Sequence, residues 1–147
     1  MKILIDADGC PVVDITIRTA KRFSLECIIL CDTSHFFNRE GARTLTVSKG
    51  ADSVDFKIVN LLDKGDIVVT QDYGLAAMCL ARGAQVIRQD GLVYTPFNID
   101  ALLTSRYESK KIRNAGGRIK CNSKRRPEED RRFESELLSL CQKSLDY

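Results

Sequence analysis

Along the first hundred residues, apolar positions fall into short unbroken runs separated by stretches with helical spacing. The run "KILID" is β-branched and uninterrupted, the signature of a central strand in a parallel sheet. "PVVDITIRTAKRFS" follows, with Pro11 suited to a helix's first turn and Val12, Ile15, Ala20 and Phe23 at roughly helical spacing. "ECIILC" and "ARTLTVS" predict two further strands, separated by the polar loop "DTSHFFNREG". "SVDFKIVNLL" predicts a helix with Val54, Ile58, Leu61 and Leu62 on one face, and "DIVVT" a fourth strand. "GLAAMCLARG" reads as a helix stopped at Gly83, and "AQVIR" as a fifth strand. "QDGLVYT" then suggests a turn and short hairpin, and "NIDALLTSRYESKKIRNAGG" a helix ended by its glycine pair. "PEEDRRFESELLSLCQKSL" predicts a last helix, with Phe133, Leu137, Leu140 and Cys141 facing inward.

Strands alternating with helices of this length specify an α/β fold with a mostly parallel five-stranded sheet built from right-handed crossovers. At 147 residues the chain suits one domain, with a core over about 1–100 and a helical extension over about 101–147. Ligands in such sheets bind beyond the carboxyl ends of the strands, where the topology changes direction. Acids gather at those ends: Asp6 and Asp8 after the first strand, Asp32 after the second and Asp72 after the fourth. Asp52 and Asp55 open the helix before the fourth strand.

Converging carboxylates repel and raise one another's pKa unless a cation neutralises them. Hard oxygen ligands suit Mg²⁺ or Mn²⁺, and two such ions roughly 4 Å apart support phosphodiester hydrolysis without a covalent nucleophile. Helix capping competes for Asp52 and Asp72, each just ahead of a helix. "DAD" is harder to read as a cap, since no helix starts before Pro11.

Composition narrows the field. Hydrophobic residues at 44% and charged residues at 29% describe an ordinary soluble domain. No apolar run approaches a membrane span, and Asp6 and Asp8 interrupt any leader-like segment, so the expected location is cytoplasmic, away from membranes. The 6 cysteines are scattered without a CxxC pair and read as small buried hydrophobes, not as disulfides or a zinc site. Cys10 lies beside the acidic tip, where neighbouring carboxylates should raise its pKa and silence it as a nucleophile.

The net charge of +3 conceals a division. Residues 1–100 carry a net −2 and residues 101–147 a net +5, with nine basic side chains and one acid within 106–126. Lys110, Lys111, Arg113, Lys124, Arg125 and Arg126 are the candidate nucleic-acid contacts in that run. A solvated surface is the alternative.

"ILIDADGC" has the hydrophobic-run-then-DxDG form of haloacid dehalogenases, but the later Ser/Thr, Lys and paired-Asp signals are missing. A receiver domain would need an Asp after the third strand, where "LTVSKG" has none. No GxxxxGK[ST] or GxGxxG motif occurs. "DADGCPV", "TSH" at 33–35, "GADSVD" at 50–55, "GDIVVTQDYGLAAMCLARGA" and "DGLVYTPFNID" together resemble the YaiI/YqxD family of bacterial proteins, over residue 1 to about 140. That resemblance implies a three-layer PIN-like fold, the fold of small metal-dependent nucleases. It implies Asp6, Asp52 and Asp72 as catalytic metal ligands, with Asp8 and Asp55 as supplementary ones. His35, on a polar loop, is a candidate general acid/base or a residue that orders the loop. Gln71 is a candidate for orienting a water or phosphate. The leading expectation is a Mg²⁺- or Mn²⁺-dependent nuclease acting on RNA. A noncatalytic nucleic-acid- or protein-binding module is the second reading, and a metal-dependent phosphatase the third.

Overall fold

The computed structural model describes residues 1–32, 39–48, 53–114 and 124–145. Asp52 and His35 lie outside the described residues, and the side chains of Lys110, Lys111 and Arg113, on the fourth helix, do too. In chain order the elements are β1 (Lys2–Asp6), α1 (Val13–Arg22), β2 (Glu26–Asp32), β3 (Arg43–Val47), α2 (Ser53–Leu61) and β4 (Ile67–Val69). They continue with α3 (Tyr73–Ala81), β5 (Gln85–Ile87), β6 (Val93–Tyr94), α4 (Pro96–Asn114) and α5 (Pro127–Leu145).

The sheet has six strands in the order β3-β2-β1-β4-β5-β6, one more than the five expected. The additional strand is the returning arm of the hairpin in "QDGLVYT", two residues antiparallel to β5 with Ile87 opposite Val93. The short hairpin expected there is present; two residues are too short for a period to mark its returning arm as a sixth strand of the sheet. All other pairings are parallel. From β1 the chain winds outward through β2 to β3, then returns to lay β4 on the opposite side of β1. The switch point therefore lies between β1 and β4, the place such sheets use for ligands.

Alternation along the strands divides the core into two layers. Ile3, Ile5, Cys27, Ile29 and Val69 face α1 and α5, where Val13, Ile17, Phe133, Leu137 and Cys141 complete a buried cluster. Leu4, Ile28, Leu30, Val68 and Val86 face the other way, against Ile58 and Leu62 at α2, Leu75 and Cys79 of α3, and Ile99 of α4. Burying each large aliphatic side chain contributes about 1.5–3 kcal/mol, so α5 is as much a core element as α1. Its four expected inward residues, Phe133, Leu137, Leu140 and Cys141, are all buried.

Local chemistry sets the helix starts. Thr95 and Asn98 exchange hydrogen bonds of 2.9 and 3.1 Å around Pro96, capping α4. Pro127 opens α5, and Glu128, Glu129 and Asp130 in its first turn suit the helix dipole. The β5–β6 turn reaches α5 at Gly91, whose φ is +94° and where a Cβ would stand 2.9 Å from the backbone of Arg132. Only glycine satisfies both conditions.

Candidate active site at the carboxyl edge of the sheet

Parallel pairing places Ile5 beside Val69, so the next residues, Asp6 and Thr70, meet at the strand ends. Thr70 Oγ1 donates to Asp6 Oδ2 at 2.8 Å and accepts from the Asp72 backbone N–H at 3.0 Å. The remainder of Thr70 is also engaged. Its N–H donates to the Ile87 carbonyl at 3.1 Å, and its own carbonyl accepts from the Tyr94 hydroxyl at 3.3 Å. One buried threonine thus fixes Asp6, Asp72 and the neck of the site. Sequence reasoning passed over it. Its only signal is a hydroxyl ending an apolar strand, next to two polar residues.

Asp6 is largely buried, and its pKa is pushed up from 3.8 to about 6. Burial is the main cause, offset in part by the Thr70 hydroxyl, and Asp55, Asp8 and Asp72 add negative potential in that order. A shift of that size corresponds to about 3 kcal/mol of strain on the charged form. The structure therefore brings four of the expected acids, Asp6, Asp8, Asp55 and Asp72, into one electrostatic neighbourhood. Asp32 ends β2 opposite Val47, with β1 standing between its strand and β4.

Asp72 also caps α3. Its Oδ1 accepts from the N–H groups of Gly74 at 2.9 Å and Leu75 at 3.2 Å, so the capping role expected for this residue type is filled. After β1 the chain turns tightly. Ala7 donates to the Leu30 carbonyl at 3.0 Å, Cys10 donates to the Ala7 carbonyl at 3.1 Å, and Gly9 adopts φ +67°. This turn withdraws Asp8 Oδ1 from solvent.

Among the described residues, no group of three or more His, Cys, Asp or Glu side chains is placed so that it could hold a metal ion. What the site offers is oxygen chemistry of the kind hard divalent cations take: a largely buried carboxylate in the field of three other acids. The Cys10 thiol is held up at about 11, chiefly by burial, with Asp6 adding to the rise and Val12 N–H and Arg125 opposing it. Carboxylate proximity, the expected cause, is thus secondary. Cys10, Cys27, Cys31, Cys79 and Cys141 are all free thiols.

Arg125 lines the same cavity as Gln71, so the segment leading into α5 lies near the acidic edge. Arg125 is not an open contact. It donates to Asp130 at 2.6 and 2.8 Å, to Glu129 at 3.4 Å and to the Gln89 carbonyl at 2.8 Å. Its neighbours Lys124 and Arg126 are exposed. A cavity of about 890 Å³ opens at the amino ends of the strands, lined in part by Lys2, Asp63, Asp66 and Lys143. It lies at the opposite end of the sheet from Asp6.

The fold is thus a wound, mostly parallel α/β sheet with an acidic tip at its switch point. The chain belongs to the YaiI/YqxD family, whose model, described as "Uncharacterized BCR, YaiI/YqxD family", matches residues 4–143. A UPF0178 protein of Exiguobacterium sibiricum is 54% identical over 99% of this chain and 100% of its own length. One from Ruminiclostridium cellulolyticum is 51% identical over 94% of this chain and 90% of its own. Among solved structures, a crystal structure of a mutant of Rae1 (YacP) from Bacillus subtilis is similar over 99% of this chain and 97% of that one, at 14% identity and a TM-score of 0.45. No described helix is long and apolar enough to cross a membrane.

Proposed function

We propose that this protein is a Mg²⁺- or Mn²⁺-dependent nuclease with a PIN-like fold that hydrolyses phosphodiester bonds in RNA. The observation that carries the reading is Asp6, largely buried at the switch point with its pKa raised to about 6, Asp55, Asp8 and Asp72 adding to the rise. A carboxylate held at that cost, with no cationic partner for it among the described residues, suits a site completed by a cation. In this reading Asp6, Asp52 and Asp72 hold the metal, with Asp8 and Asp55 completing the set. The bound ion would supply Lewis acidity toward the phosphodiester and an acidified water. The chain's own part is positional. Thr70 fixes the rotation of the Asp6 carboxylate through its 2.8 Å hydrogen bond. Lys124 and Arg126, exposed on either side of Arg125, would offset the repulsion between an acidic site and a polyanion.

The competing reading, a binding module without catalysis, draws on Asp72, whose Oδ1 is engaged in capping α3. Turnover separates the two. RNA, DNA and a small phosphoester are offered with Mn²⁺, Mg²⁺ or chelator, using Asp6→Asn as the control. Metal-dependent RNA cleavage lost in Asp6→Asn supports the nuclease. Turnover of the small phosphoester alone points to a phosphatase, and RNA binding without cleavage points to the module.

A further inference from the structure

Beside the acidic tips lies a cavity of about 470 Å³, within the usual range for small-molecule sites. Gln71 belongs to both places. It lines the cavity, and its Nε2 lies 3.6 Å from where a Cβ on Gly9 would stand, so it spans from β4 to the turn after β1. Tyr73 forms another wall. Its ring packs edge-on to Tyr94 at a centroid distance of 6.0 Å and an angle of 68°, and its hydroxyl accepts from Arg88 Nη1 at 3.0 Å. Arg88 is clamped by Asp90 through two bonds of 2.8 and 2.7 Å, and Arg125 by Asp130 and the Gln89 carbonyl. The cavity is therefore lined by a tyrosine and two arginines already held in place.

Charge decides what fits. Within the lining, Asp90 and Glu129 offset Arg88 and Arg125, and the neighbouring tips are acidic. A phosphate would meet little net attraction there. An uncharged planar base can instead stack on the ring or a guanidinium face and bond its edge to the amides of Gln71 and Gln89. We propose that this cavity is a nucleobase subsite, taking the base of a single-stranded nucleotide whose phosphate lies at the acidic tips. The proposal rests on the nuclease reading above and deepens it. A duplex cannot present a base this way without unstacking it, so single-stranded substrate is implied.

The test uses the whole chain in chelator, with backbone NMR shifts as the readout. AMP and UMP are titrated against ribose 5-phosphate and inorganic phosphate. The expected result is saturable shifts at Gln71, Tyr73, Arg88 and Gln89 with both mononucleotides and none with the two controls. Tyr73→Leu should weaken binding about tenfold or more, Tyr73→Phe by less than about threefold, and exposed Gln71→Ala by a few-fold. Equal shifts from phosphate or ribose 5-phosphate would overturn the proposal in favour of an anion site. Mononucleotide shifts confined to other residues would overturn it outright. Base binding at Tyr73 in a protein that cleaves nothing would sustain the subsite and sink the nuclease reading. Cleavage without any response at Tyr73 would do the reverse.

Discussion

At the amino ends of β1 and β4, Lys2 Nζ reaches Asp66 at 2.6 Å and Asp63 at 2.8 Å, and the Lys2 and Asp63 N–H groups also donate to Asp66. At the carboxyl ends of the same two strands, Asp6 meets a threonine hydroxyl and the field of three acids. The strands are the same and each end holds a shielded aspartate; the partners differ. Burial pulls the Lys2 pKa down, but its bonds to Asp63 and Asp66 outweigh that and leave it raised, while Lys2 draws Asp63 below its ordinary value. Asp6 moves the other way. A carboxylate closed by lysine is a structural lock, whereas one raised by burial, with neighbouring acids adding to the rise, would gain from an added positive charge.

Breaking the lock should cost most. Lys2→Met leaves Asp66, whose side chain is 3% exposed, without its cation, and should destabilise the protein by about 3 kcal/mol in urea unfolding. A loss under about 1 kcal/mol would show that the backbone donors alone satisfy Asp66. Thr70→Val should cost about 2 kcal/mol, because both Asp6 Oδ2 and the Asp72 N–H lose the same hydroxyl.

Asp6→Asn should do the opposite in metal-free protein, stabilising it by about 1–2 kcal/mol at pH 8. The sign follows from the shift. The folded state holds the Asp6 proton more tightly than the unfolded chain, so the Asp6 contribution is favourable below about pH 4 and is lost as pH rises through about 6. Asp63, lowered when folded, contributes above its unfolded pKa, and that contribution is lost as pH falls through its folded one. Unfolding measured at pH 4 to 8 for the unmodified chain and Asp6→Asn should diverge as pH rises, and parallel curves would mean Asp6 is not strained.

The smallest expected effect is on RNA binding in Ca²⁺. Replacing Lys124 and Arg126 with Gln should flatten the log–log salt slope by up to about 1.4, at roughly 0.7 per phosphate contact. Arg125 is left alone, since its bonds to Asp130 and Gln89 hold α5 to the β5–β6 turn. An unchanged slope would make these two side chains solvated surface.

Much of this was legible along the chain because the signals are local. "KILID" and "ECIILC" show unbroken apolar runs, Phe133, Leu137, Leu140 and Cys141 repeat at helical spacing, and aspartates stand where strands stop. What escaped reading depends on pairs far apart. Thr70 matters because β4 returns beside β1, which brings it to Asp6 across 64 positions. Arg125 looks like one more member of a basic run until its guanidinium is seen on the Gln89 carbonyl, 36 positions away. Lys2 is likewise an ordinary terminal lysine until the fold brings Asp66 to it. Hydrophobic period reports which face is buried, not which polar groups meet.

The most direct test of the carboxyl edge is its response to a cation, read by thermal unfolding. Mn²⁺ at ten times its dissociation constant should stabilise the unmodified chain by about 1.4 kcal/mol, raising Tm by roughly 3–6 °C. The rise should vanish in Asp6→Asn. It should also shrink in Asp72→Asn, where asparagine keeps the cap of α3 but not the charge. A melting temperature indifferent to Mn²⁺ in the unmodified chain, or a rise that survives Asp6→Asn, would contradict the account.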